Sequence, residues 1–90
     1  MTNLAIISPV THHAKMRMQS RQVPQDAVAA ALEFGSERFK RGAIIYLLGR
    51  KEVAKALKSG VDLTRFRGVE VVCAHNGTVL TTYRNQKHYK

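Results

Sequence analysis

Val69-Glu70-Val71-Val72-Cys73-Ala74-His75-Asn76-Gly77-Thr78-Val79-Leu80-Thr81-Thr82-Tyr83 is the stretch that decides the fold. Two β-branched runs flank Asn76-Gly77, a pair that reverses a chain because both residues tolerate left-handed backbone. Strands joined this closely run antiparallel, since a parallel return needs a crossover of about a dozen residues or more. Residues 69–74 and 78–83 are therefore read as a hairpin. Upstream, residues 43–48 (AIIYLL) form a continuous apolar, β-branched run, the pattern of a buried strand. Before it, Arg38 and Lys40 alternate with Phe39 and lead into an Arg41-Gly42 turn.

Helical periodicity fills the remainder. A first helix is expected over residues 11–21, capped by Thr11, with Ala14, Met18 and Arg21 on one face. Val23-Pro24 breaks it. A second helix is expected from Pro24 to about Phe34, since proline suits a helix start. Asp26 favours the positive dipole end, Val28, Ala31 and Leu32 form the inward stripe, and Gly35 stops it. Val23 and Val28 have the spacing of a hydrophobic staple. A third helix is expected over residues 51–59, with Val53, Ala54 and Leu57 inward and Gly60 as the stop. The expected order is α-α-β-β-α-β-β, an α+β fold with two N-terminal helices packed on a small antiparallel sheet.

Length and charge bound what such a fold can do. Ninety residues allow one domain, taken as residues 1–90 with a core over about 10–85 and a short flexible C-terminal tail. A chain this short buries only about two-thirds of its unfolded surface, so a shallow surface site is expected rather than a closed cofactor cavity. Fifteen Lys and Arg stand against six Asp and Glu, a formal net charge of +9. Residues 1–35 carry +1, residues 36–68 carry +6 and residues 69–90 carry +2. Such an excess points to a polyanion, most simply a phosphate backbone. One cysteine excludes an internal disulfide and fits a reducing cytoplasm. The apolar residues 4–7 are too few for a signal or membrane segment, so no membrane partner is expected.

His13, Arg17 and Arg21 fall at i, i+4 and i+8, within about 80° of rotation on a helix. An imidazole titrates near working pH, and guanidinium forks match phosphate oxygens two at a time. That ridge suits phosphate chemistry, although solvated or acid-paired helix arginines would look the same. The pattern His-Ala-x-x-Arg-Met-x-x-Arg, a Val-led second helix ending in Gly, and a strand-rich half ending in Val-Leu-Thr-Thr-Tyr-Arg-Asn resemble a bacterial domain family of unknown function. That family is grouped with RelE-like and BrnT-like toxin folds, and the resemblance spans roughly residues 10–85. It implies two N-terminal helices on a small antiparallel sheet, and a metal-independent ribonuclease or a descendant that has lost the activity. No cofactor is then needed, because the ribose 2′-oxygen attacks its own phosphate. The resemblance makes His13 the general acid/base, with Arg17 and Arg21 stabilising the pentavalent phosphate. Tyr83 and Arg84, ending the last strand, match a position where RelE-like toxins often place a functional residue, with Thr81 and Thr82 as weaker candidates. It also implies RNA as substrate, ribosome-associated RNA included, and an acidic antitoxin as partner. Nothing in the sequence assigns a general base, and Pro24 stands where a Ser or Thr cap would be expected.

Arg41, Lys51, Lys55, Lys58, Arg65 and Arg67 are the candidate nucleic-acid contacts, on a phosphate-tracking face or a merely solvated one. Aromatics are few and the RNP-type sheet aromatics needed for base stacking are missing, so a single-strand stacking platform is not indicated. His12, His13, His75 and Cys73 match no common zinc spacing, so no metal site is assigned. His75 reads as turn chemistry and Cys73 as a small buried hydrophobe. A sheet of this size leaves an edge that a homodimer could cover. The alternatives to an RNA-cleaving enzyme are a non-catalytic nucleic-acid-binding module on the same fold and a protein-interaction domain with incidental charge.

Overall fold

The computed structural model describes residues 10–84; the apolar stretch 4–7 and the expected tail with His88 lie outside them. Helix α1 spans His12–Ser20, α2 Gln25–Phe34 and α3 Arg50–Lys58, with strands β1 Ser36–Lys40, β2 Ala43–Leu47, β3 Val69–Cys73 and β4 Val79–Arg84. A 3₁₀ turn, Thr64–Phe66, leads into β3. The protein is α+β, in the expected order α-α-β-β-α-β-β. Its four strands form one antiparallel sheet in the order β1-β2-β3-β4.

Local chemistry sets each boundary. Thr11 caps α1, its hydroxyl accepting from Ala14 N at 3.0 Å. The helix ends where Gln22 turns left-handed (φ 54°): Val23 N–H donates to Met18 O at 2.8 Å and Gln22 N–H to Gln19 O at 3.4 Å, a Schellman closure. Pro24 caps α2 without a side-chain bond. Gly35 ends α2, but with φ −69° rather than a left-handed turn. Its reason is proximity: a Cβ there would meet Ala31 O at 2.5 Å and Leu47 N and O at 3.1 Å. Glu52 completes the α3 start by accepting from Gly49 N at 3.0 Å.

The two hairpins solve their turns differently. Arg41 and Gly42 both have positive φ (52° and 78°), the two-residue mirror-image turn that matches strand twist. Around Asn76-Gly77 only Gly77 is left-handed (φ 93°). Gly77 N–H donates to Ala74 O and Ala74 N–H to Thr78 O, both at 2.9 Å, giving a three-residue loop. Asn76 Oδ1 accepts from Thr78 N at 3.0 Å and stiffens it. Beyond the loop β4 bulges, since Cys73 pairs with Val79 but Val72 with Thr81, leaving Leu80 as the extra residue.

Helices cover one face of the sheet. Val69, Val71 and Cys73 of β3 point into that layer and meet Val23, Ala27, Val28, Ala31 and Leu48 in the core. The staple pair Val23 and Val28 is fully buried there. α1 lies against β4, α2 crosses β3 and β2, and α3 packs on α2. α3 buries Val53 and Ala56, whereas Ala54 and Leu57 face out, Leu57 being 55% exposed. The inward stripe thus runs at i, i+3 and corrects the expected Val53–Ala54–Leu57 face. Strand partners share a face, so Ile45, Leu47, Glu70, Val72, Thr81 and Tyr83 lie on the opposite side, together with Arg38 and Lys40. Among the described residues no helix is long and apolar enough to cross a membrane.

Candidate functional site

The site forms where the α1–α2 junction wraps the end of β4. Arg21 was expected on a helical ridge with His13 and Arg17, yet it lies one residue past the last helical turn, as the C-cap (φ −105°, ψ 8°). Released from the helix, its side chain reaches β4, donating from Nη1 to Thr82 O at 2.6 Å. Its guanidinium lies over the Tyr83 ring, 4.5 Å from the centroid. Glu70 pairs with Tyr83 across the β3–β4 ladder. Arg21, Glu70, Tyr83 and Arg84 together line an open cleft of about 410 Å³.

Arg84 behaves differently from the other three. It opposes Val69 and so belongs to the helical side of the sheet. Its Nη2 donates to Gln22 O at 2.9 Å and its Nη1 to Arg65 O at 3.2 Å. One guanidinium therefore ties β4 to the left-handed residue after α1 and to the 3₁₀ turn before β3. Its Nε is buried without a hydrogen-bond partner among the described residues. Arg84 is first a clamp, and through it the cleft wall is fixed.

Of the five candidate catalytic residues, Arg21, Tyr83 and Arg84 meet in this cleft. His13 and Arg17 do not line it; they face each other on α1, Arg17 Nε donating to His13 Nε2 at 3.4 Å. That contact uses the imidazole lone pair, and His13 is exposed. Thr82 is buried with an unpartnered hydroxyl, and Thr81 Oγ1 is likewise buried without a partner among the described residues.

The candidate nucleic-acid contacts divide between two regions. Lys51, Lys55 and Lys58 are exposed on α3, in the helical layer. Arg41 sits in the β1–β2 turn, and Arg65 and Arg67 flank the end of the 3₁₀ turn, all exposed. Arg65 lies over its neighbour Phe66, 4.7 Å from the ring centroid. Among the described residues no three His, Cys, Asp or Glu side chains gather as a metal site. Cys73 is buried, and that burial pushes its thiol pKa up.

Glu70 is the residue sequence reading missed. It sits inside Val-Glu-Val-Val, where a single acid reads as an ordinary outward position of a strand. The signal was available only by setting the two hairpin strands in register, which places Glu70 opposite Tyr83. No known protein family, no curated protein and no solved structure matches this chain.

Proposed function

We propose that the protein is an RNA-directed protein of the RelE-like type that cleaves RNA without a metal ion, with the chemistry centred on the Arg21–Glu70–Tyr83–Arg84 cleft. The observation that carries this is the Arg21 guanidinium stacked on Tyr83, in a cleft that Glu70, the cross-strand neighbour of Tyr83, also lines. Glu70 supplies the proton acceptor that the α1 ridge lacks. It takes the 2′-hydroxyl proton as the 2′-oxygen attacks phosphorus; the 5′-oxygen leaves with a proton from the Tyr83 hydroxyl, and a 2′,3′-cyclic phosphate remains. The Arg21 donors not bonded to Thr82 O face the charge that builds on phosphorus. Solvent then returns the proton from Glu70 to Tyr83.

The test is product analysis of RNA incubated with purified protein. Cyclic phosphate ends are expected, with Glu70→Gln lowering the rate by about 10²–10⁴, the usual contribution of a general base. His13→Ala is expected to keep most activity; its loss would move the chemistry to α1. RNA left intact by the wild-type protein would refute cleavage.

One observation favours a second reading, a non-catalytic RNA-binding module. Arg84 and part of Arg21 already bond backbone carbonyls, which leaves few guanidinium donors for a reacting phosphate. That module would bind RNA with strong salt dependence and leave it uncut. Under either reading the protein acts in the cytoplasm, and ribosomal RNA and an acidic antitoxin are the partners its charge suits. A homodimer through the β1 edge is the weakest of these, because antiparallel pairing of two β1 strands sets Arg38 against its own copy or against Lys40.

A further inference from the structure

We infer that single-stranded RNA lies across the open face of the sheet, from the Arg38–Lys40 edge to the Arg21–Tyr83 cleft. The inference rests on the RNA-directed reading above and adds where, and in what form, the RNA is held.

The pairing register builds this face. Ile45, Leu47 and Val72 occupy its centre, partly buried and outside the helix-side core cluster. At one margin β1 presents Arg38 and Lys40, both exposed. At the other margin, three strand spacings or about 14 Å away, Arg21 lies on Tyr83. An apolar floor between two cationic margins matches unpaired nucleotides, whose bases need apolar contact while their phosphates need cations. Duplex RNA buries its bases and would leave Ile45, Leu47 and Val72 against sugars and phosphates. Glu70 shares the face and repels a phosphate, but its carboxylate can accept from a ribose 2′-hydroxyl, which favours RNA over DNA. Tyr83 is 42% exposed and can stack one base; the aliphatic floor reads no hydrogen-bond pattern, so weak sequence preference follows. The α3 lysines belong to the helical layer and take no part.

The test uses a fluorescein-labelled, uridine-rich decanucleotide with 2′-O-methyl ribose, which forgoes the Glu70 contact and cannot cyclise, so fluorescence anisotropy reads binding to the floor and the cationic margins without cleavage. Replacing both basic β1 residues (Arg38→Glu with Lys40→Glu) is expected to weaken binding at least about tenfold and flatten the log–log salt dependence by about 0.7 per lost phosphate contact. Val72→Glu is expected to weaken it similarly, while the triple change Lys51→Glu, Lys55→Glu, Lys58→Glu leaves it within about twofold. The β1 pair carries the decision, since both side chains are exposed and an unchanged melting temperature shows the variant folded. The inference is overturned if the α3 variant loses binding and the β1 variant keeps it. It is equally overturned if duplex RNA binds as well, or if the face binds a polyglutamate peptide and not the RNA. Wild-type protein that binds through this face but generates no cyclic ends refutes cleavage and keeps the inference. A β1 double variant that cleaves unmodified RNA with unchanged KM does the reverse.

Discussion

Arg84→Ala separates architecture from chemistry at the cleft. The side chain makes two hydrogen bonds to carbonyls, Gln22 O at 2.9 Å and Arg65 O at 3.2 Å, both in partly solvated surroundings. Bonds from a charged donor contribute about 1.5–3 kcal/mol when sheltered, and roughly 1 kcal/mol each with solvent nearby. Their joint loss should destabilise the fold by about 2 kcal/mol. In a domain of this size each kcal/mol moves the melting temperature by about 4–8 °C, so a fall of roughly 8–16 °C is expected. Arg84→Lys should lose about half as much, because an ammonium cannot hold two carbonyls in the divergent directions of a guanidinium fork. Thermal denaturation followed by circular dichroism at fixed pH and salt reads both changes. If Arg84→Ala melts within a degree or two of wild type, the clamp is energetically empty. Should that variant also lose activity, Arg84 acts on the substrate, and the assignment of its donors to Gln22 and Arg65 is wrong.

Two further perturbations probe the core. Thr82→Val replaces a fully buried hydroxyl that has no partner among the described residues by a methyl of the same shape, and should raise stability by about 1 kcal/mol, read as a higher urea midpoint with unchanged m. Cys73 should resist a thiol reagent in the folded protein and react only on unfolding. Because burial raises its pKa above the unfolded value near 9.0, its contribution to stability is complete below that pH and declines as pH climbs above it, so the loss of stability between neutral and alkaline pH should be smaller in Cys73→Ala than in wild type.

The element order could be read before the structure because each boundary has a local cause: Thr11 as a cap, Gly35 and Gly60 as stops, Arg41-Gly42 and Asn76-Gly77 as turns. The α3 face was misread because Val53, Ala54, Ala56 and Leu57 are all apolar, and periodicity cannot choose between i+3 and i+4 partners in so short a helix. Arg21 was misplaced for a related reason. Its ridge with His13 and Arg17 assumes helical angles through residue 21, and the Schellman closure ends them one residue sooner. Glu70 escaped because its placement is not local: only the ladder to Tyr83, and the swing of Arg21 from another element, bring it into the cleft. Fold is largely written in neighbours along the chain, whereas this cleft joins Arg21, at the end of α1, to a hairpin some fifty residues later in it.

The bulge at Leu80 bears on how the protein can be engineered. It places one residue of slack between the hairpin loop and the part of β4 that aims Tyr83 and Arg84. Pairing with β3 fixes the aim downstream of that slack, so loop length does not. The tip at residues 75–77 is thus a natural place to insert a peptide tag or a fluorophore site without re-aiming the cleft.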